Sequence, residues 1–478
     1  MSAGLSDRGL GRIFFQPAFG PLPGWPASPM TIRATRTQFV WSPVVGWVLL
    51  SCAATAVHAQ VDTPTPARQT LDQQTPQVDL PDGSSSAGGT IEKGNELGIS
   101  VGAFTLYPEL DLNLGYDDNV FATPAPTTAS AVAVIRPTLE LRSEWLNHSL
   151  RLLASGGFGF YASAPTQNFQ NYVVQADGRL DIRTDFWLTG LIAFKRNTEA
   201  LGTPNVSFAQ APTVVDSVPI ELSLYQKFNR LFYQLSASAT KYWYYDYSTI
   251  TSLGLPAASR DRTEYEEKLR IGYEVVADRF SVFISPGINQ RVYVDTVNSA
   301  GQQRDSTGWN IGVGALLTLS AKSSLEGSVG ATGQTYTATG TSTSATTFSL
   351  SGTWNGYEPL TLRPALMRTI NESALVNYQN YVSTVAGIDF TYDIHYPWKA
   401  VGGFSFNTAD YTPAPGVSGV NPRTDYFVKA SIGLLYEVNP HYSIGPLYEY
   451  SQGTSTDVPA GGPQYSRNFF SIRLVARR

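Results

Sequence analysis

Residues 104–117 read FTLYPELDLNLGYD, and apolar and polar side chains alternate along this stretch. Successive side chains of a β-strand point to opposite faces of the sheet. One face would therefore carry Phe104, Leu106, Leu110, Leu112, Leu114 and Tyr116. The other face would carry Thr105, Glu109, Asp111, Asn113 and Asp117. The stretch predicts a strand with one apolar and one polar face.

The same alternation returns at residues 171–183, 262–275 and 426–437. A soluble β-sandwich also alternates, so the lengths of the segments matter. They run to about 11–16 residues, whereas strands of globular proteins usually have about 5–6 and tilted membrane strands about 9–11. Aromatic residues cluster at segment ends, at 242–245, 392–398 and 448–450, as they do at the two borders of a membrane. These features favour a barrel with its apolar face in lipid.

The connections alternate in length along the chain. Short turns are predicted near Asn147, Thr184, Asn229-Arg230, Asp278, Ala321-Lys322, Asn355-Gly356, His395-Tyr396 and Asn439-Pro440. Longer loops are predicted at about 118–131, 163–168, 199–215, 247–261, 295–305, 338–344, 372–377, 412–423 and 453–464. Short periplasmic turns, longer outer loops and an even strand number characterise outer-membrane barrels. Residues 97–478 therefore predict an all-β fold, a transmembrane antiparallel up-and-down β-barrel of about 18 strands (16–18).

Composition excludes several function classes. The 478 residues include 33 Lys and Arg against 38 Asp and Glu, so no basic field for nucleic acid is present. A single Cys excludes a disulfide framework and a thiolate metal cluster. The 4 His leave little for acid–base or metal chemistry, and His148, His395 and His441 fall at predicted periplasmic turns. The sequence thus predicts no enzyme, no cofactor and no metal site.

The N-terminal region predicts export from the cytoplasm. Arg33 and Arg36 precede an apolar run that ends in small residues at Ala59, the order of a signal peptide cleaved after that residue. We expect residues 1–59 to be the signal peptide, with Met30 as the true start. Cys52 lies in a lipoprotein-like sequence, but the cleavage pattern after it argues against lipidation. Residues 60–96, rich in Pro, Gln, Thr and Ser, predict a disordered periplasmic linker.

Inward polar side chains are the candidate functional residues. An 18-stranded barrel is too wide to be filled by side chains, so this face predicts a water-filled lumen. The residues expected to line the pore are Glu109, Asp111, Asn113, Arg136, Glu140, Arg142, Asp177, Arg179, Asp181, Arg183, Glu264, Lys268, Arg270, Asp389, Lys429 and Glu437. Charges of both signs could form a selectivity region. The alternative is that they pair across neighbouring strands and merely solvate the wall.

The sequence Tyr116-Asp117-Asp118-Asn119 lies where the first strand meets its outer loop. Three adjacent oxygen-bearing side chains could hold Ca²⁺. Adjacent strand residues point in opposite directions, however, so an Asp/Asn turn that begins the loop is the favoured interpretation.

Two blocks resemble the bacterial outer-membrane family Putative beta-barrel porin 2. They are residues 98–108, with Gly98-Ile99, Val101-Gly102, Phe104, Leu106 and Pro108, and residues 116–120, Tyr-Asp-Asp-Asn-Val. Weaker similarity continues at Arg136-Pro137, Ser143-Glu144-Trp145, His148, Leu180-Asp181, Asp185, Glu199 and Pro212-Thr213. The resemblance implies a Gram-negative outer-membrane barrel, often encoded with exopolysaccharide genes, without catalytic residues.

Three functions remain open at this point. The favoured one is a porin-like channel for passive passage of hydrophilic solutes across the bacterial outer membrane. The others are an outer-membrane component of exopolysaccharide export, and a plugged structural or adhesive barrel. Expected partners are outer-membrane lipid and lipopolysaccharide, the barrel-assembly machinery and, for export, periplasmic polysaccharide-export proteins. No oligomeric state is predicted.

Overall fold

The computed structural model describes residues 98–205, 212–246, 255–295, 304–459 and 461–478. The signal peptide predicted at 1–59, with Met30 and Cys52, and the linker predicted at 60–96 lie outside these residues. The described residues form strands almost throughout. The strands are β1 Ile99–Val101, β2 Phe104–Asp117, β3 Ser130–Ser143, β4 Ser149–Tyr161, β5 Phe169–Arg183, β6 Phe186–Glu199, β7 Thr213–Phe228, β8 Leu231–Asp246, β9 Arg262–Val276, β10 Phe280–Tyr293, β11 Ser306–Ser320, β12 Ser323–Tyr336, β13 Ser342–Tyr357, β14 Leu360–Glu372, β15 Tyr378–His395, β16 Trp398–Pro413, β17 Arg423–Asn439, β18 Tyr442–Ser455 and β19 Tyr465–Arg477.

Strands β2 to β19 close into one ring. Each pairs antiparallel with its neighbours in sequence, and β19 pairs antiparallel with β2, from Phe469 opposite Asp117 to Arg477 opposite Glu109. The three-residue β1 adds a small hairpin on the start of β2. The predicted closed barrel of 18 strands is confirmed. Closure matters because a closed ring has no first or last strand whose outer edge stays unpaired.

Short and long connections alternate, as predicted. We call the end with the short turns the inner end and the other the outer end. One predicted turn is wrong: the chain turns at residues 358–359, and Asn355 and Gly356 continue β13. The Asn355 side-chain amide donates to Thr361 Oγ1 at 2.8 Å, so this residue bridges two strands instead of reversing the chain.

The outward face of the ring is mostly apolar. Leu114, Val329 and Ile432 expose 66%, 58% and 58% of their surface, which is expected of side chains whose solvent is lipid. Aromatic residues lie towards both ends of this face. The cluster predicted at 242–245 divides between the faces, because Trp243 and Tyr245 point outward while alternation turns Tyr242 and Tyr244 inward.

The lumen holds small apolar clusters in place of one continuous core. Val401, Leu435 and Val475 pack together near the inner end. A larger cluster at the outer end joins Val120 of the first loop to Val132, Val134, Phe169 and Phe469 on the wall. None of the described residues belongs to a helix that is long and apolar enough to cross a membrane.

Candidate functional site

Alternation and register place all of the predicted pore-lining residues except Arg183 on the lumen face. Around Asp111 they form a compact cluster where β19 meets β2. Arg473 Nη2 lies 2.8 Å from Asp111 Oδ2, and Arg136 Nη1 lies 4.0 Å from Asp111 Oδ1. The Asn113 amide donates to Asp111 Oδ1 at 2.7 Å. One carboxylate thus stands between two guanidinium groups.

The next charges around the wall form a chain of pairs on β3, β4 and β5. Arg142 Nε donates to Glu140 Oε1 at 2.7 Å. Arg151 Nε donates to Asp177 Oδ1 at 2.9 Å, and its Nη1 lies 4.0 Å from Glu140 Oε1. Arg151 therefore links carboxylates on the strands either side of it.

Closer to the inner end, Arg179 Nε donates to Asp181 Oδ1 at 2.6 Å, and its guanidinium lies 4.0 Å from the centre of the Trp187 ring. Arg183 lies beyond a β-bulge, where it contacts Asp185 at 3.5 Å. Its side chain is half exposed at the turn, so the structure places it at the inner rim of the wall.

On β9 the three predicted residues share the lumen face. Arg262 Nε donates to Glu264 Oε1 at 2.6 Å. Arg270 reaches across two strands to Glu326 with two hydrogen bonds of 2.7 and 3.0 Å. Lys268 lies between Glu264 and Arg270 on the same face.

The remaining predicted residues also meet opposite charges. Lys429 Nζ lies 3.3 Å from Glu449 Oε1, and Lys399 Nζ lies 2.9 Å from Glu437 Oε1. The register places Asp389 opposite Arg363 and Glu109 opposite Arg477. Cross-strand pairing therefore describes most of the lumen charges.

Three outer connections meet inside the lumen and form a plug, which we define as residues 200–205, 255–260 and 373–377. The Asn205 N–H donates to Tyr411 Oη at 3.1 Å, and its side-chain amide donates to the Glu372 carbonyl at 3.3 Å. Asn205 Oδ1 accepts from the Ala374 N–H at 2.9 Å. The Leu255 N–H donates to the Ala374 carbonyl at 2.8 Å.

Residues 200–205 cross the lumen to make these contacts. They leave the ring at β6, whereas Tyr411 lies on β16, which is eight strands away by the shorter path around an 18-strand ring. Gly202 has φ +81°, in the left-handed region that glycine favours. Its carbonyl accepts from Tyr465 Oη at 3.0 Å, and a Cβ there would stand 2.7 Å from the Ala122 Cβ. The crossing segment is thus fixed at several points of the wall.

Buried ion pairs hold the plug. Arg260 donates two hydrogen bonds of 2.8 Å to Glu199, and its guanidinium lies 4.1 Å from the centre of the Tyr244 ring. Burial acts to lower the pKa of Arg260, but the negative charge of Glu199, its hydrogen bonds to Arg260 and the nearby Tyr244 together raise the pKa above its ordinary value. Arg304 Nη2 donates to the Ser373 carbonyl at 2.6 Å and lies 3.2 Å from Glu372 Oε2.

Sequence reasoning did not identify Glu199, Asn205, Arg260, Arg304 or Glu372 as site residues. All five lie between strands or at the last residue of a strand. Alternation therefore gave no signal for them. The one available signal was the unusual length of the 199–215 and 247–261 connections, since long loops are often functional.

The motif at 116–119 starts the first loop, as predicted, and it also ties β19 to β2. Asp117 Oδ1 accepts from the Asn119 N–H at 3.0 Å, and the carboxylate accepts from Arg467 Nε at 2.9 Å. Asp118 accepts two hydrogen bonds of 2.7 Å from the Asn468 backbone and side chain. Within the described residues, no cluster of His, Cys, Asp and Glu is suited to hold a metal ion.

The family model of Putative beta-barrel porin 2 matches residues 94–478. Solved structures with a similar fold include OccAB3 of Acinetobacter baumannii, with 13% identity, coverage of 78% of this chain and 99% of that chain, and a TM-score of 0.41. OccK3 (OpdO) of Pseudomonas aeruginosa shows 11% identity, 78% and 95% coverage, and a TM-score of 0.39. OpdK of Pseudomonas aeruginosa shows 10% identity, 78% and 98% coverage, and a TM-score of 0.40. No curated protein sequence matches the chain.

Proposed function

The chain belongs to the Putative beta-barrel porin 2 family, and from this premise we propose that it is an outer-membrane pore for passive passage of hydrophilic solutes. The closed ring of 18 strands carries the proposal, because a barrel of this size encloses more space than its side chains fill. In this proposal the short turns face the periplasm, and the inward charges from Asp111 to Glu437 line the pore.

The plug narrows the outer mouth. Because residues 200–205 reach the opposite wall, a solute must pass beside them or displace them. The same observation favours a second function, a structural or adhesive barrel that stays closed. Conductance separates the two, since only the pore conducts ions.

Exopolysaccharide export stays a separate prediction that rests on the family resemblance. It would assign residues 60–96 to contacts with periplasmic export proteins. Deleting the gene and measuring both secreted polysaccharide and solute uptake distinguishes export from passive uptake. A loss of polysaccharide with unchanged uptake would contradict the pore proposal.

We expect the purified protein to conduct ions in planar lipid bilayers with weak selectivity between K⁺ and Cl⁻. The physical reason is that most lumen charges lie in pairs such as Arg270–Glu326 and Lys429–Glu449, whose fields largely cancel. The reversal potential under a KCl gradient measures this. A barrel that inserts and never conducts would contradict the pore and support the closed barrel.

Asp111→Asn is expected to shift the reversal potential towards anion selectivity. The substitution removes the carboxylate between Arg136 and Arg473 and leaves two positive charges on the lumen face. Glu267→Gln is the matched control. Glu267 lies opposite Ala237 and Ile288 on the outward face, so its charge lies outside the lumen and selectivity should not change. Equal shifts in both variants would argue against a pore lined by Asp111.

A further inference from the structure

The wall has a gap in its pairing between β13 and β14. Their register runs from Tyr357 opposite Leu360 at the inner end to Ser349 opposite Met367, and it ends there. Residues 342–348 and 368–372 are described, yet they pair only with β12 and β15, respectively. The outer halves of the two strands therefore do not pair with each other, and β15 contacts the outer end of β13 instead, where the Asn380 amide donates to Thr343 Oγ1 at 2.9 Å. Unpaired strand edges are costly, and closed barrels normally exclude them.

The outer half of β14 is held in the lumen instead. By alternation, Glu372 should share the outward face with Leu362 and Leu366. Its carboxylate instead meets Arg291 Nη1 at 2.6 Å, and Arg291 lies on the lumen face of β10, four strands away. Ile370 is also buried, exposing 3% of its surface. The end of β14 has thus bent inward from the line of the wall.

Side chains take the place of the missing strand partner. Arg291 Nη2 donates to the carbonyl of Ile370 at 3.0 Å, on the edge of β14 that β13 leaves unpaired. Arg304 binds the Glu372 carboxylate at 3.2 Å, and the Tyr336 hydroxyl lies 3.4 Å from the same carboxylate. Two guanidinium groups therefore stabilise the inward position of the strand.

The register between β13 and β14, if it is extended, gives residues 368–372 of β14 a second position. Extending the existing pairing would place Phe348 opposite Arg368, Thr346 opposite Ile370 and Ser344 opposite Glu372. In that position Ile370 would point to lipid and Glu372 to the outer surface, which matches the rest of the outward face. The backbone pairs gained would offset the ion pairs lost.

We propose that the outer half of β14 is the gate of the pore. It moves between the inward position, held by Glu372, and a position paired with β13. Residues 373–377 follow β14 directly and form part of the plug, so pairing with β13 withdraws them from Asn205 and Leu255 and widens the outer mouth. This proposal rests on the proposed function, because it assigns the regulation of that pore.

A disulfide tests the gate directly. Ala345 and Asn371 lie opposite each other in the extended register, and opposed residues of antiparallel strands are close enough for a disulfide. In a Cys52→Ala background, which leaves no other cysteine, we expect the Ala345→Cys, Asn371→Cys double variant to cross-link under oxidation. We expect conductance to rise on cross-linking and to fall again with a reducing agent. Ser351→Cys with Ala365→Cys, already opposed in the wall, should cross-link without changing conductance.

Glu372→Gln gives an independent measurement. It weakens the bonds from Arg291 and Arg304, so the open fraction should rise about tenfold, since one charge-assisted hydrogen bond shifts an equilibrium by that factor or more. Asp216→Asn is the matched control and should leave the open fraction unchanged, because it weakens two hydrogen bonds of 2.6 Å from Arg196 on the outward face, where Asp216 lies opposite Trp243.

The outcomes separate the gate from the pore. If only the Ser351–Ala365 control cross-links, the gate proposal is wrong. It is also wrong if the test variant conducts no better after cross-linking than before it. Neither result contradicts the pore proposal. If the Ala345–Asn371 cross-link forms on a gel and no variant conducts, the β14 movement is real and the pore function is wrong.

Discussion

Replacing residues 200–211 with a short glycine–serine connection is expected to increase single-channel conductance several-fold. This segment includes the part of the plug that crosses the lumen, from β6 to Tyr411 on the far wall. The resistance of a pore is set mainly by its narrowest section, so removing the segment that crosses the outer mouth should lower the resistance of the proposed pore. Single-channel recordings at one KCl concentration measure the change.

The matched control shortens residues 457–462, another outer loop. Its hydrogen bonds include Gly461 N–H to the Val458 carbonyl at 3.0 Å and Gly462 N–H to the Asp457 carbonyl at 3.2 Å, both within the loop. Conductance should stay near the wild-type value in this variant. If both variants conduct like the wild type, residues 200–205 do not limit passage.

The strands and turns could be predicted from the sequence, whereas the position of the plug could not. Strand alternation and turn residues such as Asn229-Arg230 are local properties, because an apolar outward face and a polar lumen face recur on every strand. They located the strands and nearly all turns. The position of Asn205 depends on a contact with Tyr411, 206 residues later, which no local pattern encodes.

The sequence predicted that the charged pore-lining residues lie on the lumen face, but it did not predict which of them pair with each other. Asp111, Arg179 and Arg270 follow the polar parity of their strands, so alternation placed them inward. Their partners depend on register and on the number of strands between them. Arg473 meets Asp111 only because the ring closes and brings β19 next to β2. The sequence of β2 alone therefore could not predict this ion pair.

The bend in β14 marks the clearest departure from alternation. Glu372 lies at an outward position of the pattern but contacts Arg291 and Arg304 in the lumen. Two long-range guanidinium contacts therefore override the local period at the end of this strand. Departures of this kind are expected at functional or strained sites.

Arg467→Ala is expected to reduce the free energy of unfolding by about 3–5 kcal/mol, because it leaves the buried Asp117 carboxylate without its guanidinium. Asp117 is fully buried, and Arg467 lies at the seam where β19, the last strand, pairs with β2, the first strand of the ring. Losing this pair therefore weakens ring closure itself. Urea unfolding in lipid vesicles, followed by tryptophan fluorescence, measures the loss.

Arg183→Ala is the matched control, since it removes a half-exposed pair with Asp185 at the inner rim and should cost no more than about 1 kcal/mol. Asp117→Asn combined with Arg467→Ala should recover part of the loss, because the buried charge is then gone. If Arg467→Ala costs as little as Arg183→Ala, the Asp117 pair does not hold the seam. Closure would then depend on the backbone register and on Asp118, which binds Asn468 of β19 through two hydrogen bonds of 2.7 Å.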